Sequence, residues 1–287
     1  MSRARATAAL SAGLVLAALV GGCAEPPAPP RPSSGAATMR TDTRPDATQL
    51  LATTVEKINR SGGVHNTVRG SLGIVGELNG EGVVQYQGGA AEFSLSGHTE
   101  PEGQRPQPVE LSFVDGVGYL KTPLMRPEPG KPWLRIASDG TDFAAKLFSP
   151  ALAQVLAAID PRATFAGIES ATKIETSAPE VIDGRQTTRY DLRILTARAA
   201  ELSTDPQQRE RYRSAAESGQ REIGYQLWLD ESGLPVRFAA TQDVAQAGQM
   251  SLTSSYRDWG THIDIQPPPA DRVGVFRDLP MPQAQPR

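Results

Sequence analysis

Residues 109–121 read Val-Glu-Leu-Ser-Phe-Val-Asp-Gly-Val-Gly-Tyr-Leu-Lys. Val109, Leu111 and Phe113 alternate with Glu110 and Ser112, the period of a strand with one buried and one wet face. Asp115-Gly116 is a turn signal, and Val117 to Lys121 returns as a second strand. Strands joined by so short a turn are antiparallel. The same texture extends on both sides. Val64 to Val75 and Gly82 to Gln87 flank Glu77-Leu78-Asn79-Gly80-Glu81, where Asn79-Gly80 predicts a hairpin turn. Ala91 to Gly97 alternates through Phe93 and Leu95, and Trp133 to Ile136 adds a short piece after a proline-rich loop. Further strands are expected over Ala171 to Thr176, Val181-Ile182, Thr188 to Ile194, Ile223 to Leu229, Val236 to Thr241, Met250 to Tyr256 and Thr261 to Ile265.

Helical signals interrupt the strands at three places. Asp46 can cap a helix from Ala47 to Arg60 with Leu51, Val55 and Ile58 on one stripe, stopped by Ser61-Gly62-Gly63. Ser149-Pro150 offers a cap followed by proline at the first helical position. Leu152, Val155, Leu156 and Ile159 then share a face until Asp160-Pro161 ends the run. Thr196 to Gln220 is helical but polar, interrupted at Asp205-Pro206, and is expected as a solvated face. About ten strands and two or three helices in this order make an α+β layer arrangement. A large antiparallel sheet tends to curl. The expected fold is a large curved antiparallel sheet, a half-open β-barrel, with helices covering its concave face.

The N-terminus carries an address. Arg3 and Arg5 precede Ala8 to Val20, an apolar run broken by Ser11 and Gly13. Its 13 residues would make a helix of about 20 Å, too short for a hydrocarbon core of about 30 Å. Residues 1–22 are therefore expected as a signal peptide. Val20-Gly21-Gly22-Cys23 resembles the bacterial lipobox, and that resemblance makes Cys23 the lipidated mature N-terminus. Two acyl chains anchor stably where one does not. The expected location is the outer face of the cytoplasmic membrane, in the cell envelope. Residues 23–46 hold six prolines and are expected as a tether. Residues 47–272 are expected as one folded domain and 273–287 as a proline-rich tail.

Composition narrows the chemistry. The 287 residues include 29 Lys plus Arg and 32 Asp plus Glu, a net charge of −3. Removing residues 1–22 takes away two arginines and no acid, leaving a net of −5. A nucleic-acid binder should instead be basic on one face. One cysteine rules out an internal disulfide or a multi-cysteine zinc site, and His65, His98 and His262 are widely spaced. Gly-x-Ser-x-Gly is absent, and Ser94-Leu95-Ser96-Gly97-His98 falls on an expected strand. Gly80-x-Gly82 is followed by no helix that would cradle a phosphate. No catalytic residue, metal or cofactor is expected.

A set of turns and strand ends carries a family resemblance. Gly62-Gly63-Val64-His65 opens the first strand and Gly82-Val83-Val84 follows it. Phe113 to Pro123 contains Val114-Asp115-Gly116-Val117-Gly118-Tyr119-Leu120-Lys121-Thr122, with Trp133 beyond. Tyr256-Arg257-Asp258-Trp259-Gly260 and Ile263-Asp264-Ile265-Gln266-Pro267-Pro268 stand near the end. These resemble the LppX/LprAFG family of actinobacterial lipoproteins, with its LolA-like half-barrel, over roughly residues 47 to 272. The polar stretch 196–220 and the long tail depart from that pattern.

The resemblance implies an apolar cavity between sheet and helices that holds the acyl chains of a membrane lipid or glycolipid. Its candidate lining is Leu51, Val55, Ile58, Phe93, Leu95, Leu111, Phe113, Leu152, Val155, Leu156 and Ile159, with Trp133 at the lip. The same stripes serve equally as solid core, and Trp133 equally as a buried anchor. Each exposed methylene costs about 0.8 kcal/mol, so a diacyl lipid needs a dry carrier to cross water but no catalyst. Three readings follow. The first is a non-enzymatic lipid-anchored lipoprotein that carries lipid between membranes, with a transporter as a candidate partner. The second is an interaction or regulatory partner of another envelope protein, docking through 196–220. The third is a hydrolase acting on envelope lipids.

Overall fold

The structure, a computed structural model, describes residues 46–274 apart from 73–75, 87–88, 101–102, 104, 124–127, 138–139, 141–142 and 245–247. The signal segment, Cys23, residues 23–45 and the tail from 275 lie outside the described residues. In chain order the elements are α1 (Ala47–Ser61), β1 (Gly63–Leu72), β2 (Glu77–Gln85), β3 (Glu92–Glu100), β4 (Gln107–Val114), β5 (Val117–Lys121) and β6 (Trp133–Ala137). There follow α2 (Phe143–Ile159), α3 (Pro161–Phe165), β7 (Thr172–Ile182), β8 (Arg185–Leu195), α4 (Thr196–Leu202) and α5 (Pro206–Glu217). The remainder is β9 (Glu222–Asp230), β10 (Pro235–Val244), β11 (Gly248–Arg257) and β12 (Val273–Gly274).

All strands belong to one 12-stranded sheet in the order β12-β6-β5-β4-β3-β2-β1-β11-β10-β9-β8-β7. It does not close into a barrel. Every pairing is antiparallel except that of the two-residue β12, which runs parallel to β6. The sheet is therefore mixed, and β12 lies inside the stretch expected as tail. The chain runs outward from β1 to β6, crosses through α2, and fills the other half from β7 inward to β11. Pairing of β1 with β11 joins the two halves.

Curvature follows from the reach of α2. This 17-residue helix packs against β6 at one end of its footprint and against β1, β11 and β10 further along. It spans about 25 Å. On a flat sheet β6 and β10 lie seven strand spacings apart, about 34 Å. The sheet must bend toward the helix, so α2 occupies its concave face. Asp46 caps α1 by accepting from the Thr48 amide, and Leu51 and Ile58 are buried.

Four local expectations need correction. Asn79-Gly80 is not a turn but lies inside β2, opposite Arg69 and Val68 of β1. Strand pairing overrides the dipeptide: Arg69 Nε donates to Asn79 Oδ1 at 3.2 Å, and Gly80 faces Gly97 of β3. Ser149-Pro150 does not start α2, which begins seven residues earlier at Phe143. Pro150 lacks an N–H and leaves the carbonyl four residues back without its helical bond, yet burial of the helix beyond it outweighs that loss. The two short strands expected over 171–182 are one strand, β7, with a bulge between Ile174 and Thr176. Proline tolerates this edge position, which is why Pro179 does not end it. Finally, Thr261 to Ile265 is not a strand. It is an extended strap on the convex face, where Ile263 and Ile265 pack on Val83 and Val114.

The 196–220 region is more than a wet face. Asp205 caps α5, Tyr212 is fully buried, and Gln208 Nε2 donates to the Ala163 carbonyl at 2.9 Å. Its exposed outer side holds the pairs Arg198–Glu201 and Arg213–Glu210.

Candidate functional site: an apolar cavity beneath a helix

The two halves of the concave face are filled differently. Over β9 and β10 the space is packed with rings: Phe165 meets Tyr225 at 5.7 Å and Phe238 at 5.8 Å, edge to face. Over β1 to β6 the concave face also carries the stacked rings of Phe93 and Phe113, but beside them Leu72, Leu78, Leu95, Val109, Leu111, Leu120 and Ile136 leave a space unfilled. A cavity of about 130 Å³ lies there, closed above by Phe148, Ala151, Leu152 and Val155 of α2. For scale, an engineered cavity of about 150 Å³ lined by apolar side chains stays dry and takes up benzene.

Glycines shape both floor and roof. Gly80 and Gly97 stand opposite each other on β2 and β3 and both line the cavity. A Cβ on Gly97 would fall 2.0 Å from the Asn79 carbonyl oxygen, so the strands could not keep this approach with any side chain there. Gly118 of β5 seats the helix: a Cβ on it would fall 2.4 Å from Leu152 Cδ2.

The far end of α2 is fixed by polar contacts. Tyr86 Oη donates to the Ile159 carbonyl at 2.8 Å, and Tyr256 Oη to the Ala158 and Ile159 carbonyls at 3.2 Å. These oxygens are among the orphan acceptors at a helix C-terminus. Asp160 caps α3, and Arg162 grips its carboxylate with Nε at 3.0 Å and Nη2 at 2.9 Å. Arg162 also donates to Asn59 Oδ1 and lies over the Tyr86 ring at 4.5 Å. Trp259 stacks on Tyr86. Burial pushes both tyrosine hydroxyls well above their ordinary pKa. For Tyr86, the neighbouring Tyr256 and Asp160 add to this and Arg162 partly opposes it.

The sequence candidates divide by place. Leu95, Leu111, Leu152 and Val155 line the cavity. Phe93 and Phe113 are buried and stack on each other at 6.1 Å. Leu51, Ile58 and Ile159 are buried core, and Leu156 is half-buried against it. Val55 borders a separate polar crevice with Asn59, Tyr86 and Arg162. Trp133 is not at the lip. Leu134 and Ile136 of β6 are buried inward, so strand alternation turns Trp133 to the convex face, where Lys121 Nζ lies 5.6 Å from its ring centre.

Val109 and Thr122 line both the cavity and an open groove bordered by Lys121, Glu128, Lys131 and Arg272. An apolar interior thus meets a charged rim carrying three cations and, with Glu110, two carboxylates. Ser94, Ser96 and His98 lie along β3, and His98 Nε2 meets Glu100 at 3.2 Å. Among the described residues no group of three or more His, Cys, Asp or Glu side chains could hold a metal ion. No described helix is long and apolar enough to cross a membrane.

No protein-family model and no curated relative matches the sequence. Solved structures do show similarity of fold. LprF from Mycobacterium bovis is 16% identical, with a TM-score of 0.43, over 78% of this chain and 98% of that one. The MucA/MucB complex of Pseudomonas aeruginosa is 14% identical, with a TM-score of 0.33, over 74% and 55%. A LolA-superfamily protein from Nitrosomonas europaea is 13% identical, with a TM-score of 0.22, over 74% and 95%.

Proposed function

We propose that the protein binds the acyl chains of a membrane lipid or glycolipid in the cavity beneath α2 and carries the lipid across the aqueous space of the cell envelope. The carrying observation is the cavity itself, walled by leucine, isoleucine, valine and phenylalanine and open toward a charged rim. Such a site takes an amphiphile with its chain inside and its polar end at Lys121, Lys131 and Arg272. Transfer needs no bond to be made or broken. The cavity only has to match the bilayer interior, so that exchange lies near balance. At about 130 Å³ the cavity accepts part of one chain, so a full lipid displaces the Phe148 to Leu152 part of α2, while Tyr86, Tyr256 and Asp160 keep its far end in place.

The lipobox-like Cys23 supports anchoring at the outer face of the cytoplasmic membrane, with residues 23–46 as the tether. Titration with a fluorescent long-chain fatty acid tests the binding step. Saturable uptake that falls at least tenfold in Val155→Trp, with thermal stability retained, is the expected result. Equal uptake by the folded variant contradicts the proposal.

A further inference from the structure

The convex face carries a second, polar groove. Glu81, Ser96, Glu110 and Lys121 stand opposite one another on β2, β3, β4 and β5, and Ser94 pairs with Ser112 one step along. The strap crosses this grid through Gln266 and Pro267 to Pro269. Between strap and sheet lies a groove of about 460 Å³, with Trp133 in its wall.

Ser112 marks the groove as a site. It is only 3% exposed and it lines the groove. Its Oγ has no hydrogen-bond partner in the protein. A buried hydroxyl without a partner is costly, and of the buried side-chain atoms in that state among the described residues Ser112 Oγ is the one in this groove's lining. Ser94 and Ser96, on the same face of the neighbouring strand, are exposed.

We infer that this groove binds a neutral carbohydrate. Its lining contains two carboxylates, Glu81 and Glu110, and Lys121 at its border pairs with Glu110, so the groove has little net charge with which to hold an anion. Glu110 is held by Lys121 at 2.5 Å, which lowers the pull on cations. A hydrocarbon chain would leave Ser112 unsatisfied. Serine hydroxyls both donate and accept, which suits a ligand made of hydroxyls. The indole of Trp133 and the proline rings offer apolar surface to the C–H faces of a sugar ring. The sugar could arrive as a free glycan or as the headgroup of a glycolipid. The groove recognises the same chemistry in both.

Saturation-transfer NMR of the full-length chain with neutral trisaccharides (maltotriose, mannotriose and chitotriose) tests this. The second arm uses the same glycans attached to a single alkyl chain. Saturable binding that weakens at least tenfold in Trp133→Ala, and again in Ser112→Val, supports the site. If Trp133→Ala does not fold, Ser94→Arg blocks the groove from an exposed position and is expected to do the same. Binding of free trisaccharides that survives Val155→Trp identifies a free glycan. Binding only of the alkylated forms, lost in Trp133→Ala and kept in Val155→Trp, identifies a headgroup whose chain lies outside the cavity beneath α2. No saturable binding in either arm overturns the inference, as does binding that none of the groove variants weakens. So does a Ser112→Val protein that binds unchanged, which would leave the Ser112 hydroxyl with no part in recognition.

Discussion

Gly118 lies directly under Leu152, and a methyl group on Gly118 would fall 2.4 Å from Leu152 Cδ2. The bare backbone of β5 is what lets α2 settle over the sheet and roof the cavity. Gly118→Ala should therefore overpack this contact and cost about 1–3 kcal/mol. Leu152→Ala alone should cost about 2–5 kcal/mol. Combined, the two should destabilise by about 1 kcal/mol less than their sum, because the smaller side chain makes room for the new methyl. Chemical denaturation of the four proteins checks the coupling. Strict additivity would show that Gly118 does not seat the helix.

The paired glycines of the cavity floor should behave differently from each other. A Cβ on Gly80 meets only the Ser96 carbonyl oxygen, at 3.6 Å, whereas one on Gly97 falls 2.0 Å from a backbone oxygen. Gly80→Ala should be neutral or slightly stabilising, since it restricts the unfolded chain. Gly97→Ala should lower stability by more than 1 kcal/mol. Melting temperatures of the two variants decide this, and equal values would contradict it.

The hairpin read from Val109 to Lys121 was legible because period-2 alternation and a strong turn coincide there. The helix capped by Asp46 was legible for the same kind of reason. Asn79-Gly80 misled because a dipeptide signal is local, while β2 is held by partners on both sides. Pro150 misled because helix starts are inferred from the first residues that look permitted, and α2 tolerates its proline in mid-course. The cavity was legible only in part. Periodicity says which side chains face inward, so Leu95, Leu111, Leu152 and Val155 were accessible to it. It cannot say where inward-facing chains fail to meet. That depends on cross-strand register, which sets Gly80 against Gly97, and on the seat of α2 on Gly118. Leu72, Leu78, Leu120 and Ile136 join the lining for that reason alone.

Asp160 and Arg162 form a buried pair, with side chains 4% and 8% exposed. Removing one partner strands the other charge. Asp160→Ala should cost about 3–5 kcal/mol, whereas Glu210→Ala, which breaks the exposed Arg213 pair, should cost about 0–1 kcal/mol. Denaturant midpoints measured side by side test the contrast. A small effect of Asp160→Ala would show that the far end of α2 is not fixed by this network.

Alkaline stability should report on Tyr86 and Tyr256. Desolvation keeps both neutral in the folded protein and raises their pKa values well above that of an ordinary tyrosine. Their contribution is complete below about pH 10, the unfolded value, and is lost as the pH rises toward the folded values. The unfolded chain then releases protons that the folded one retains. Thermal melts from pH 8 to 11.5 should show a decline above pH 10 that is shallower in the Tyr86→Phe, Tyr256→Phe double variant. An identical slope would contradict this assignment.

The central claim is that the space beneath α2 holds acyl chains. Native mass spectrometry of the protein isolated from an actinobacterial host, followed by lipid extraction, tests it most directly. The account predicts a stoichiometric adduct that resolves into an acylated lipid and is depleted in Val155→Trp. A monodisperse protein that carries no lipid, and takes none up when lipid is added, would contradict it and leave α2 as solid core.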